Sequence, residues 1–329
     1  MKKVSLVLPV YKVEQYIEGC LQSIYDQTYH NLEVIFVDDC TPDNSILVVD
    51  NFVSSHVLPE GMEIKVLHHQ ENRGISAARN TGIDAATGDY VFFLDSDDQL
   101  TPDAISLLVQ PLDKQDYDFV IGSFEVVGSD HKYPPLHLKE GEVSGAAIFH
   151  NYAKKRFYMM AWGKLCNLSF IRNNGLYFQE GIVHEDDLWS CKVALAAQSM
   201  YAVKQPVYIY KIRGGSITTT EDSKKKLHNF FRVFSLINQE MEKARGRLSA
   251  NDLQLFYDYN LRGKYFITFA HGLKEEYATM RSLDLRTYSH ILLSSLKSLR
   301  YLKIHGHRLL PVNIGFSLYS LVSRHSDYN

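Results

Sequence analysis

The sequence predicts an α/β protein: a mainly parallel sheet flanked by helices, followed by a helical C-terminal region. Three observations carry that prediction. Over the first 125 or so residues, short apolar runs alternate with stretches of helical apolar spacing, the pitch of strand–helix–strand units. The first run, Val4–Val10, is unbroken, as a buried strand requires. From about Ser223 the pattern is helical nearly to the end.

The elements follow in order. Val4–Val10 is the first strand. Glu14–Gln27 is a helix, with Tyr16, Ile17, Cys20, Leu21, Ile24 and Tyr25 at helical spacing. Glu33–Val37 is a strand, Pro42–Val53 a helix, Ile64–Leu67 a strand, Ile75–Ala86 a helix and Tyr90–Leu94 a strand. Pro102–Leu112 is a helix opened by Thr101 as N-cap and Pro102 in its first turn. Tyr117–Ile121 is a further strand. Residues 122–160 give no clear pattern, and Pro134-Pro135 marks a loop. Leu188, Val193, Leu195 and Ala196 predict a helix ending near Gln198. Gly214-Gly215-Ser216 and Thr218-Thr219-Thr220 precede the helical tail, which sets the expected domains at 1–220 and 221–329.

Composition narrows the function. The chain has 329 residues, 45% of them hydrophobic, with 17 Phe, 21 Tyr and 2 Trp, which excludes disorder. The net charge of −3 hides a split. Residues 1–128 hold 21 acidic against 7 basic side chains, a balance of −14, while the remainder carries +11. An acidic half does not bind a polyanion unaided, so nucleic acid is not an expected partner, whereas a metal ion is. The 4 cysteines form no CxxC and no zinc spacing, which favours a reducing cytoplasm. No run of about 18 apolar residues exists to span a membrane.

In an open parallel sheet, ligands bind beyond the carboxyl ends of the strands. Three strands end in polar clusters there: Pro9-Val10-Tyr11, Asp38-Asp39-Cys40-Thr41 and Asp95-Ser96-Asp97-Asp98. Grouped carboxylates repel unless a cation or hydrogen-bond donors compensate, so the readings are a Mg²⁺ or Mn²⁺ site or helix capping. No GxGxxG and no Walker loop occurs. A second cluster, His184-Glu185-Asp186-Asp187, opens the helix that follows. It suits either the helix dipole or a general base.

These pieces together resemble a known family. Ser5–Tyr11, Leu21–Thr28, Glu33–Asp39, Glu71–Asn80, Gly88–Asp98, Trp162–Leu165 and Glu185-Asp186, in this order and spacing, are similar to family 2 glycosyltransferases. The resemblance runs from Val4 to about Gly215. It implies a GT-A fold (Rossmann-like), an inverting mechanism, a UDP-sugar donor and a divalent metal, Mn²⁺ or Mg²⁺. Residues 1–128 would bind the nucleotide sugar, and 129–220 would supply the acceptor side and the base. Pro9 and Tyr11 would lie against the nucleobase, Asp39 would accept the uracil imide hydrogen, and Asp38 would support the loop or the ribose. Arg73 would contact the nucleotide, while Arg79 and Asn80 would brace the loop. Asp95 would meet the ribose and Asp97 the metal, with Asp98 a second ligand or a support. Asp186 would be the base, and Glu185 would position the acceptor or a neighbour. Trp162 and His184 would border the acceptor site, against the alternatives of core packing for Trp162 and structural hydrogen bonding for His184.

The expected acceptor is a glycan or lipid-linked oligosaccharide of surface polysaccharide synthesis. The basic tail, with Lys224-Lys225-Lys226 at its start and Lys297, Arg300, Lys303 and Arg308 near its end, suits the cytoplasmic face of a membrane, a solvated helical face, or packing against a second subunit. Two other functions compete. One is a haloacid-dehalogenase-type phosphatase, whose DxD lies on its first strand; here the motif comes far later. The other is a non-catalytic sugar-nucleotide-binding protein.

Overall fold

The computed structural model describes residues 1–128, 136–212, 223–256, 268, 274–282 and 310–323. The chain divides into two compact units: residues 1–148 with 156–226, and residues 149–155 with 227–329. The expected boundary at 220 falls among residues 213–222, outside the described residues.

The first unit is built on a nine-stranded sheet. Its strands are β1 (Val4–Val10), β2 (Leu32–Asp38), β3 (Met62–His68), β4 (Tyr90–Phe93), β5 (Gln99–Leu100), β6 (Phe119–Val127), β7 (Gly141–Ser144), β8 (Lys164–Asn167) and β9 (Ser199–Lys211). Their order is β3-β2-β1-β4-β8-β6-β9-β5, with β7 also on β9. The β3-β2-β1-β4 half is parallel, as the strand–helix alternation predicts. Beyond it β8 runs antiparallel between β4 and β6, while β6 and β9 are parallel. The chain leaves β1 toward β2 on one side and returns to β4 on the other. The carboxyl ends of β1, β2 and β4 therefore meet at a topological switch point, where a crevice opens.

The helices follow the apolar spacing. Helix α1 (Ile17–Tyr25) buries Ile17, Cys20, Leu21 and Ile24, one stripe at helical period. Helix α2 begins at Ser45 rather than Pro42, because the Asp43 carboxylate accepts from the Ser45 amide and hydroxyl and holds a turn ahead of it. Helix α3 spans Ile75–Ala85. Helix α4 is shorter than expected, Ala104–Val109, and tightens into a 3₁₀ turn at Gln110–Asp113, where Pro111 has no amide hydrogen for the ladder. Thr101 is not its cap: its hydroxyl donates to the Pro206 carbonyl of β9. Helices α5 (Ala146–Ala153), α6 (Leu168–Asn173) and α7 (Glu185–Ala196) complete this part of the chain.

The described residues of the second unit are mainly helical. Helix α8 (Ser223–Ala244) buries Phe231, Phe234, Ile237 and Met241 along one face. Phe149 and Tyr152 stack near Phe256 of α9 (Ala250–Phe256), and His150 Nδ1 lies 2.7 Å from the Asp252 carboxylate. Ser249 donates to that carboxylate as well. Among the described residues no helix is long and apolar enough to cross a membrane. The basic stretch 297–308 lies outside the described residues, as do the side chains of Lys224, Lys225 and Lys226.

Candidate active site

The first wall of the crevice is the loop after β2. Asp39 is buried, and its two oxygens accept from the backbone amides of Arg73 (2.8 Å) and Gly74 (2.7 Å). His69 Nδ1 lies 2.7 Å from the same carboxylate, and its Nε2 lies 2.9 Å from Thr81 Oγ1. Asp39 thus pins the turn that opens α3, where Gly74 has φ +86°, a conformation that favours glycine. Asp38 accepts from the Thr41 amide at 2.8 Å and meets His68 Nδ1 at 2.9 Å, which makes it a support of its own loop. Tyr11 is exposed, with the Lys12 ammonium 5.1 Å from its ring. Pro9 is half-buried, and its carbonyl accepts from the Ser96 hydroxyl, tying the end of β1 to the motif after β4. Arg73 is exposed and reaches Glu180 at 3.4 Å.

The second wall is Asp95-Ser96-Asp97-Asp98. Asp98 is fully buried; it accepts from Tyr208 Oη at 2.8 Å and from the Lys211 amide at 2.8 Å. Burial, with Asp95 and Asp97 adding repulsion, pushes its carboxyl up to about 8. Both of its oxygens accept from β9, so Asp98 supports that strand. The same Tyr208 oxygen accepts from the Asp95 amide at 3.2 Å. Asp95 and Asp97 are half-buried. Among the described residues no set of three or more His, Cys, Asp or Glu is gathered as a metal cage. Mg²⁺-type sites commonly use one or two carboxylates plus substrate phosphates and water. Asp95 and Asp97, two half-buried carboxylates at the end of β4, offer hard oxygens that fit such an ion.

The third wall is the start of α7. Glu185 is buried and accepts from Arg79 Nη1 at 2.8 Å, while Arg79 Nη2 donates to Asp95 at 2.8 Å. Burial opposes the charge on Arg79, but Asp95, Glu185 and Asp186 outweigh it and hold the guanidinium protonated. Asp186 accepts from the Asp187 amide at 3.1 Å. Burial first, then Glu185 and Asp187 beside it, raise the Asp186 carboxyl well above the ordinary range against the pull of Arg79. A carboxyl so raised exchanges its proton near neutral pH, as acid–base groups do. The helix is seated by Trp189, which donates to the Leu176 carbonyl at 2.8 Å and stacks on Phe178 at 4.9 Å.

Arg79 thus ties Asp95 to Glu185, the residue before Asp186, while the Arg73 and Gly74 amides hold Asp39, the residue after Asp38. Of the two residues expected at the acceptor site, Trp162 lies in the core. Trp162 is 3% exposed and stacks on Tyr208 at 4.3 Å and 8°, with Phe124 edge-on to it. This is the core alternative, and it leaves no open face for a sugar. His184 adopts a left-handed backbone (φ +65°) at the start of α7 and makes no side-chain cap bond. Asn80 braces the next loop, exchanging two hydrogen bonds with the Phe178 backbone. The resemblance does not point to Tyr208, because it stands 110 residues from Asp98 in a strand the apolar pattern does not mark.

An open α/β sheet with acidic strand ends at its switch point, and an acidic helix start tied to them through Arg79, is the arrangement in which such sheets take ligands. Comparison with known proteins supplies the family. The profile described as "Glycosyl transferase family 2" matches residues 5–180. The chain belongs to glycosyl transferase family 2, and it is a glycosyltransferase. It is 32% identical over 227 residues to glycosyltransferase GlyA of Streptococcus pneumoniae, a match covering 66% of this chain and 31% of that one. It is 29% identical over 246 residues to GlyG of the same organism, covering 70% and 78%. The chain thus matches only about a third of GlyA's length. Among solved structures, Staphylococcus aureus TarS 1–349 in complex with UDP-GlcNAc superposes with a TM-score of 0.77 at 20% identity, covering 99% and 93%. That likeness supports the GT-A fold. Family membership overturns the phosphatase alternative.

Proposed function

We propose that this enzyme transfers a sugar from a UDP-sugar to a hydroxyl of a glycan or lipid-linked acceptor, with inversion, in surface polysaccharide synthesis. One observation carries the reading: a single buried guanidinium, Arg79, hydrogen-bonds both Asp95 after β4 and Glu185 beside Asp186. Donor-side and base-side carboxylates therefore share one site. TarS, whose solved complex holds UDP-GlcNAc, supports a uridine nucleotide as donor and an N-acetylhexosamine or hexose as the sugar.

Asp186 takes the proton of the acceptor hydroxyl as its oxygen attacks the anomeric carbon. The bond from that carbon to the diphosphate breaks, and UDP leaves. Pro9 and Tyr11 flank the uracil, and Asp39 takes its imide hydrogen while pinning the Arg73-Gly74 turn. Arg73 faces the nucleotide, and Asp95 the ribose. A divalent cation held at Asp97 would supply positive charge for the departing diphosphate.

The test is a panel of nucleotide sugars with Mn²⁺, read by thermal shift and slow donor hydrolysis. Stabilisation by uridine nucleotides and turnover of one UDP-sugar are expected. Asp186→Asn should keep UDP binding and lose turnover by about 10²–10⁴-fold. No response to any uridine nucleotide, or full turnover by Asp186→Asn, would overturn the reading.

A further inference from the structure

Arg79 is 2% exposed and joins two parts of the chain that are far apart in sequence. Its Nη2 reaches Asp95 and its Nη1 reaches Glu185, each at 2.8 Å. Its guanidinium carbon lies 5.0 Å from the centre of the Phe178 ring, and Phe178 stacks in turn on Trp189 of α7. Its Nε has no hydrogen-bond partner among the described residues. Stability alone does not account for this arrangement. A buried ion pair returns little net free energy, and an unpaired buried N–H adds a cost.

What the arrangement does supply is position. Helix α7 starts at Glu185 without a side-chain cap, since His184 forms none. The bond from Arg79 to Glu185 therefore sets where the first turn of α7 stands relative to β4. Asp186 is the next residue of that turn. The charged groups around it are Glu185 and Asp187 on its own helix, Arg79 on α3, Asp95 after β4 and Lys164 on β8. Arg79 is a cation that favours the carboxylate form of Asp186.

We propose that Arg79 is a positioning residue for the transfer reaction, clamping the base-bearing first turn of α7 to the donor-side end of β4. This inference rests on the reading of Asp186 as the base. Lysine cannot replace it fully, because one ammonium lacks the planar fork that meets two acids at once.

The test compares full-length wild type, Arg79→Met, Arg79→Lys and Asp186→Asn. Amide hydrogen exchange over residues 184–190 is read without ligand, UDP binding is read with Mn²⁺, and kcat and KM are read with the UDP-sugar that the donor panel returns. In Arg79→Met, exchange over 184–190 should rise roughly tenfold while β1 and β2 stay protected. UDP affinity and donor KM should stay within about threefold, and kcat should fall about 100-fold. Arg79→Lys should recover part of kcat. Unchanged exchange with unchanged kcat in Arg79→Met overturns the proposal, and so does a loss of turnover matched by an equal loss of UDP binding. If Arg79→Met does not fold, wild-type kcat in Arg79→Lys overturns it. An active Asp186→Asn would sink the base reading instead, while the exchange data still report on the clamp.

Discussion

Removing one oxygen atom, that of Tyr208, should cost the donor domain several degrees of thermal stability. Tyr208→Phe keeps the ring stacked on Trp162 but deletes the hydroxyl that donates to Asp98 at 2.8 Å and accepts from the Asp95 amide at 3.2 Å. Asp98 is 1% exposed, so water does not readily replace the lost donor. Leaving a buried carboxyl and a buried amide short of a partner costs about 2–3 kcal/mol together. For a unit of this size that lowers Tm by roughly 5–10 °C. The pH dependence sharpens the test. Asp98 in the fold has its carboxyl raised to about 8, above its unfolded value, so the folded state holds the extra proton and Asp98 ionisation erodes stability as pH rises toward 8. The Tyr208 hydroxyl lowers that value, so its loss raises it further, and the gap between variant and wild type should widen from pH 6 to pH 9. Thermal unfolding in EDTA at both pH values measures this. A Tm difference below about 1 °C at both pH values, or a gap that narrows, would refute the assignment of Asp98 as a support held by Tyr208.

Three further outcomes are expected. Asp39→Asn turns an amide donor toward the Arg73 and Gly74 amides, so UDP affinity should fall about tenfold or more by calorimetry; unchanged affinity would remove Asp39 as the anchor of that loop. Glu33 is buried with Ser5, Lys65 and Thr87 as donors, which hold its carboxyl down at about 2 against the cost of burial. Its stabilisation is present above the unfolded value and is lost as pH falls through about 2; of the roughly 3 kcal/mol such a shift represents, about 2 remain after screening at the exposed Lys65, and Glu33→Gln should flatten the acid limb of a pH–stability curve. Gly163→Ala demands φ +72° of an alanine and drives its Cβ into Tyr158 Oη, so chemical denaturation should show a loss of about 2–4 kcal/mol.

Much of the fold is legible in the sequence where the chain reports on itself. The apolar runs at β1, β2 and β4 and the helical spacing of α1 need no distant partner to be read. Strands β8 and β9 are harder. Lys204-Gln205-Pro206 interrupts β9, and Pro206 faces a break in the register against β6, so no period of two survives. The same distance hides the division of labour among the acids. Asp97 and Asp98 are adjacent and chemically alike, and what separates them is a tyrosine on β9. Thr101 reads as a cap by position, yet its partner is a carbonyl on that same strand. Trp162 reads equally as a sugar platform or as core until Tyr208 is placed against it.

The charge split has a narrower meaning than its size suggests. A balance of −14 over residues 1–128 counts every exposed acid on a helix face. The acids that build the site are distinguished instead by what burial costs them. Asp39 and Asp98 are buried, and each takes backbone amides as compensation; Glu185 takes the guanidinium of Arg79. Those bonds tie the three to neighbouring loops and strands. Asp95, Asp97 and Asp186 stay partly open to solvent and hence within reach of a substrate. Burial raises the Asp186 carboxyl most, and the carboxylates around Arg79, more than that one guanidinium neutralises, raise it further. Net charge therefore marks the half of the chain that holds the donor site, while the ratio of buried acids to buried donors marks the chemistry.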